Sequence, residues 1–452
     1  MTAYDDFDRS SAIGLASAIQ WSASQADRLP NRRAAQLLRR AEAEIRAPYR
    51  KPRRWPVVGQ SLGFRRDPLG AFRAYAEEDH SVIDLGPVGP AHILNAPEAL
   101  RKLVEGGAVD KSELYASMRP VFGKGVIMAD AKAAPAQRRP LLQGLRAELG
   151  AITPIVEDAA QRAVDEWKTL GTFDLGEMTQ YFALDVIMNL MEGKSPAADE
   201  RRQLRLDLQE VLDQGERESW SPSPWFEART SRGRSARRAA ARLREIAYRI
   251  VNGERTGFIR MLRAVHEDDA LVADEVTNIL LAGHETTGAT TAFTFGFARR
   301  RAFVWEKLAA GDTQWRDAVV WETLRLRPTI YSVTRRAMRD IDLGDEVLPK
   351  GSLIIFSGWM LHRRRHWRDP DEWIPERWFD LDAEAEIKAL RYAPFGLPPR
   401  ACVGDRLALL EIRTLLGLVA TQADLQIEQE SDPEAYPAIT LRPPPLKARM
   451  VG

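Results

Sequence analysis

One cysteine in 452 residues constrains this chain more than any other feature. No intrachain disulfide can form, so a reducing interior suits it. The surroundings of Cys402 set it apart from the small buried hydrophobe that a lone cysteine usually is. Pro394-Phe395-Gly396-Leu397-Pro398-Pro399 makes a rigid, non-helical approach. Arg400 stands two residues before the sulfur and Gly404 two after it. A helical pattern then begins at Leu407, Leu410, Leu415 and Leu416, with Asp405 expected as its N-cap. This reading puts the sulfur near a helix N-terminus and beside a cation. Backbone N–H groups and the macrodipole favour a thiolate there, and a thiolate is a metal ligand.

The rest of the composition is that of a globular chain with a large core: 44% hydrophobic, 29% charged, formal net charge +1. No global field selects nucleic acid. The apolar stretch 12–23 is short and follows Asp5, Asp6 and Asp8, the wrong sign for a signal peptide. No run of about 18 apolar residues suggests a membrane anchor. The expectation is a cytoplasmic protein. Residues 1–50 read as a polar, partly helical extension, and Arg46 to Pro56 as an extended connector into one domain over 51–452.

The spacing predicts helices over 97–104, 154–167, 173–193, 197–212 and 228–250, and a hairpin over 81–94. Trp220–Phe226, with two prolines and three aromatics, breaks the helical run. The longest apolar helix spans 272–297, and Ala282-Gly283-His284-Glu285-Thr286-Thr287 lies inside it. A glycine and adjacent polar groups in mid-helix cost stability, and such a violation marks function. A zinc-protease His-Glu-x-x-His is excluded, because position 288 is Gly. Trp321-Glu322-Thr323-Leu324-Arg325 sets an acid and a base on one helix face. Trp373-Ile374-Pro375-Glu376-Arg377-Trp378 follows. Short strands are read at 332–337 and 353–357, and a β-rich tail after 425.

The loop at Phe395, Gly396, Arg400, Cys402 and Gly404 resembles the heme-binding loop of the cytochrome P-450 family, with Pro398 where the family has Gly. The acid–Thr pair, Glu-x-x-Arg and Pro-Glu-Arg-Trp occur in the family's order. Heme iron is a metal held by a single Cys. The resemblance implies a mainly α fold with a smaller β-rich lobe and heme b between the central helix and the Cys loop. It implies Cys402 as the iron ligand, with Arg138, Arg335 and Arg400 on the propionates and Ala134 replacing a family Trp. His362 is a further propionate candidate, against the alternative of a satisfied structural histidine. Glu322, Arg325 and Arg377 are implied as a buried triad. Gly283 is expected to leave room beside the heme. Glu285 and Thr286 are implied as an acid–alcohol proton relay. Ala282, Ile330, Tyr331 and Val333 are implied to line the substrate pocket, and Trp220–Phe226 to flap over its channel.

The reaction implied is monooxygenation of a small apolar molecule by dioxygen, a terpenoid, polyketide or fatty acid, by a monomer. No Gly-x-Gly-x-x-Gly or phosphate loop is seen. Electrons are therefore expected from NAD(P)H through a separate ferredoxin or flavodoxin and its reductase. Arg363, Arg364, Arg365, Arg368 and Arg406 are read as a cationic face for that donor, or as solvated charge. The alternatives are a hydrogen-peroxide-driven peroxygenase and a non-catalytic heme-thiolate binder or sensor.

Overall fold

The computed structural model describes residues 51–105, 107–111, 118–130, 132–220, 227–253, 256–266, 268–344 and 346–451. The expectations for residues 1–50 and for the segment 221–226 lie outside these.

Among the described residues, ten helices make the helical body: α1 (Ala134–Ala147), α2 (Leu149–Thr169), α3 (Leu175–Glu192), α4 (Ala198–Trp220), α5 (Ser231–Asn252), α6 (Gly257–Val265), α7 (Asp269–Ala298), α8 (Ala302–Ala309), α9 (Thr313–Leu326) and α10 (Asp405–Gln422); the expected helix Pro97–Val104 forms as well, beside the smaller lobe. Local chemistry sets several of their ends. The Asp174 carboxylate caps α3 by accepting from Glu177 N at 3.0 Å, and Gly193, at φ +75°, closes it in the left-handed region. Asp268 and Asp312 cap α7 and α9 in the same way. The 30 residues of α7 run about 45 Å at 1.5 Å per residue. Most of its side chains are buried, so α7 passes through the centre of the molecule rather than over its surface.

Helix α3 crosses α7 at close range. A Cβ at Gly283 would stand 2.6 Å from Ile187 Cδ1, and one at Gly288 2.9 Å from Gln180 Cα. Gly283 is thus a packing glycine that admits α3. This corrects the expectation that it opens space for a heme ligand. The physical reason is rotation: on a helix, residue 283 lies about 100° round from residue 282.

The smaller lobe is built on β1 (His80–Asp84), β2 (Pro90–Leu94), β3 (Val109–Lys111), β5 (Val333–Ala337) and β8 (Leu353–Phe356). They form one five-stranded sheet in the order β1-β2-β8-β5-β3. β1 and β2 form the expected antiparallel hairpin, β2 and β8 run parallel, and β8, β5 and β3 are antiparallel. Leu100, Ile354, Phe356 and Leu361 form its own small core. β4 (Phe173–Asp174), β9 (Asp424–Ile427) and β12 (Lys447–Val451) make a second sheet. β6 (Ile341–Asp342) pairs with β7 (Val347–Leu348), and β10 (Tyr436–Pro437) with β11 (Leu441–Arg442). The architecture is mainly α with a smaller β-rich lobe. Among the described residues no helix is long and apolar enough to cross a membrane.

Candidate active site

The Cys loop leaves the helical body at Gly396, whose φ of +76° requires glycine. Cys402 N then donates back to Phe395 O at 2.8 Å, and Arg400 N to Leu397 O at 3.0 Å, closing the loop on itself. Gly404 is the residue before α10, so Asp405 is the first helical residue and not the expected cap. An acidic group in the first turn still suits the macrodipole.

The Cys402 surface is open only in the sense that its sulfur borders a cavity at the centre of the molecule. Burial pushes the thiol above its ordinary pKa, while the Gly404 N–H and Arg138 pull it down. The helix terminus and Arg138 thus act toward a thiolate, and burial acts against it. A cation at the sulfur would reverse that balance.

The cavity, about 350 Å³, lies between α7 and the Cys loop. Ala282, Glu285 and Thr286 of α7 line it together with Cys402. Ile330 and Val333 line it too, but Tyr331 does not. Its ring turns the other way onto Phe72, with centroids 6.3 Å apart, while its carbonyl accepts from Ser357 Oγ at 2.8 Å. Tyr331 is a packing residue and leaves the pocket set. Most of the wall is apolar: Leu212, Leu281, Phe356 and Leu397 are representative.

Cations gather at one end of this cavity. Register pairs Lys111 of β3 with Arg335 of β5. Arg400 Nη2 holds Asp110 Oδ1 at 3.0 Å, while its Nη1 is buried without a hydrogen-bond partner. Arg138 of α1 donates to Ala401 O. Burial, then Arg400 and Arg335, push Lys111 down to about 7. Burial and like charge also lower Arg138 and Arg400. Such a group calls for anions, and a pair of carboxylates entering from the cavity would satisfy it. Together with an adjacent sulfur, this donor set fits heme and its propionates. Sequence reasoning missed Lys111; only the strand pairing brings it to Arg335.

His362 is not part of this group. It is fully buried, its Nδ1 lies 3.0 Å from Arg325 O, and its Nε2 accepts from Ala393 N at 2.9 Å. Both ring nitrogens are used within the protein, which corrects the propionate assignment and makes His362 a brace beneath the loop. Burial and the Arg325 charge hold its pKa well below the ordinary value. It stays neutral, as a ring that accepts from Ala393 N must.

Glu322, Arg325 and Arg377 come together under the same loop. Arg325 grips Glu322 through Nε at 3.0 Å and Nη2 at 2.8 Å, and Arg377 Nε reaches both carboxylate oxygens at 3.1 Å. Trp378 Nε1 and Ile374 N also donate to Glu322, both at 2.9 Å. Arg325 further ties down His362 O, Pro370 O and Glu372 O at 2.7–2.8 Å. Every member is satisfied, the condition under which a buried ionic group is tolerated.

On the α7 side, Thr286 Oγ1 donates to Ala282 O at 2.6 Å. Glu285 is only 3% exposed. Its Oε1 accepts from Arg442 Nε at 2.6 Å, and its Oε2 is buried without a partner. Arg442, on β11, also holds Asp213 Oδ1 of α4 at 2.7 Å. Sequence reasoning missed Arg442, since 157 residues separate it from Glu285.

The expected cationic face is thinner than its sequence. Arg363 is buried, lies 3.3 Å over the Trp359 ring and donates to Leu326 O at 2.7 Å. Arg364 pairs with Asp79 at 2.5 Å. Arg365, Arg368 and Arg406 remain at the surface.

A thiol-bearing loop before a helix, two arginines and an acid–alcohol pair border one cavity, an arrangement that fits a heme-thiolate protein. The model of the cytochrome P450 family matches residues 49–309 and 314–450, and this chain belongs to that family. It is similar to a cyclooctat-9-en-7-ol 5-monooxygenase from Streptomyces melanosporofaciens, 27% identical over 403 residues, 81% of this chain and 87% of the relative. It is also similar to cytochrome P450 3A6 from Oryctolagus cuniculus, 35% identical over 167 residues, 33% of each chain. Among solved structures, CYP175A1 from Thermus thermophilus superposes with a TM-score of 0.74 at 22% identity, over 86% of this chain and 97% of that one. A 6-coordinated cytochrome P450 from another strain of the same organism gives a TM-score of 0.71 at 22% identity, over 85% and 98%. The chain is an oxidoreductase of the monooxygenase kind, and its family binds heme.

Proposed function

We propose that this enzyme holds heme b through Cys402 and oxidises a small, mostly hydrocarbon molecule in the adjoining cavity. One observation carries the reading: Cys402 and Thr286 line a single cavity whose wall is otherwise largely apolar. Bound there, the heme supplies dioxygen binding and the oxidising chemistry. The chain's residues do the rest. Arg138, Arg335, Arg400 and Lys111 meet the propionates. The Glu322–Arg325–Arg377 triad and His362 hold the loop that carries the sulfur. Arg442 fixes one oxygen of Glu285, so the other, Oε2, is left as the atom that takes and hands on a proton.

The substrate is a cyclic alkenol or a similar hydrocarbon-rich terpenoid. The largely apolar wall supports this, as does the relative named for oxidising cyclooctat-9-en-7-ol. Electrons come from a separate ferredoxin or flavodoxin with its reductase and, through them, NAD(P)H. Arg368 and Arg406 are among the exposed cations that such an acidic donor would meet. The test is the absorption spectrum of the reduced, carbon-monoxide-bound protein. A strongly red-shifted Soret band that Cys402→Ser abolishes is the expected result. A heme-loaded protein without that band would refute the thiolate assignment.

A further inference from the structure

Among the buried polar residues in the first half of α7, Asp274, Glu275 and Asn278 have no part in the oxidation chemistry. Each holds backbone of the segment 122–128. Lys124 N donates to Asp274 Oδ2 at 2.8 Å. Val126 N is shared between the two Glu275 oxygens, at 2.9 and 3.0 Å. Ile127 N donates to Asn278 Oδ1 at 3.1 Å, and Asn278 Nδ2 donates to Phe122 O at 2.7 Å. The segment is shaped for this contact. A Cβ at Gly123 would collide with the Asp274 carboxylate, and one at Gly125 would stand 2.7 Å from Asn278 Nδ2. Gly123 also needs its φ of +58°. From the other side, His266 Nε2 lies 3.2 Å from Glu275 Oε1, and Arg244 pairs with Asp274.

The same segment supplies Phe122, Ile127 and Met128 to the cavity wall. Ala282 and Thr286 follow Glu275 by seven and eleven residues and lie within about 20° of it round α7, so this part of the anchor and the reacting end share one face. Four residues are about 6 Å of rise. The anchor therefore fixes how far the segment 122–128 stands from Ala282 and Thr286.

We infer that Asp274, Glu275 and Asn278 are positioning residues for substrate. They hold this part of the pocket as a rigid wall of set height, and that height decides how large a guest fits above the sulfur. The inference rests on the cavity being the substrate site.

The test uses the heme-loaded enzyme and the variants Asn278→Ala, Glu275→Ala and Gly125→Ala. The last attacks the contact from the loop side and guards against a helix variant that fails to fold. Two readouts are taken: hydrogen exchange of the amides of Lys124, Val126 and Ile127, and the affinities of imidazole and 4-phenylimidazole by spectral titration. Loss of one such buried hydrogen bond is worth about tenfold. Exchange of those amides should quicken about tenfold in the variants while α10 amides are unchanged. Affinity for 4-phenylimidazole, which must touch the wall, should fall about tenfold, and that for imidazole should hold. Unchanged exchange, or equal losses for both probes, would overturn the inference. If the unmodified enzyme bound neither probe, the pocket reading would fail instead, while exchange would still report on the anchor.

Discussion

Glu411 sits on α10, nine residues past Cys402 and 2% exposed, with its Oε2 buried and unpartnered. Burial alone raises its pKa well above the ordinary 4.5. The folded chain therefore carries this carboxyl protonated at a pH where the unfolded chain has released the proton. Its contribution is fully present below the unfolded pKa and is lost as pH rises toward the folded one. Over that window stability falls by 2.303RT for the one proton, about 1.4 kcal/mol per pH unit. Glu411→Gln removes the titration and keeps the shape. At about 2.1 cal/mol/K per residue, 452 residues have an unfolding entropy near 0.95 kcal/mol/K. The variant's Tm should then gain on the wild type by about 1.5 °C for each pH unit. Calorimetry of both heme-loaded proteins at pH 6, 7 and 8 and one scan rate gives the difference directly, and every other titrating group cancels from it. A Tm difference that does not move with pH would mean that Glu411 ionises in the folded chain, which would refute the reasoning.

Arg325→Lys keeps a charge but loses the fork that serves Glu322 and three carbonyls. With at least two charged hydrogen bonds lost at about 1.5–3 kcal/mol each, a cost of about 3–6 kcal/mol is expected, seen as heme lost from the protein on gel filtration. Retention of heme and Tm would show that the triad does not hold the loop. Arg442→Met strands the Glu285 carboxylate and should destabilise by a similar 3–5 kcal/mol, whereas adding Glu285→Gln should restore most of it. Additive losses in that cycle would show that the two do not act as a pair.

The residues legible from sequence were those whose chemistry forces residue types into a short spacing. Cys402 with Arg400, and Glu322 with Arg325, are of this kind. What was illegible depends on elements distant in the chain. Arg442 reaches Glu285 from β11, and Lys111 meets Arg335 only through strand register. Two misreadings have simpler causes. The chain bends at 329–330 ahead of β5, so neighbouring side chains part: Ile330 lines the cavity while Tyr331 turns to Phe72. A single histidine near a charged site says nothing of its own hydrogen bonds, and those of His362 are met by backbone. Gly283 could have been placed correctly: Ala282 and Thr286 share a row of α7 that Gly283 does not.

The threonines of α7 have a consequence for timing. Thr277, Thr286, Thr290, Thr291 and Thr294 each donate their hydroxyl proton to the carbonyl four residues earlier. For Thr286 that proton is the hydroxyl's only one, and it is engaged with Ala282. A hydrocarbon guest makes no claim on it and leaves the turn at 282–286 closed. A guest that presents an acceptor at that point competes with the helix for the same hydrogen. The hydroxyl must leave Ala282 O for the guest to win, so arrival of an acceptor and release of that side-chain bond are one event, and at rest the bond keeps the proton from an empty or hydrocarbon-filled pocket.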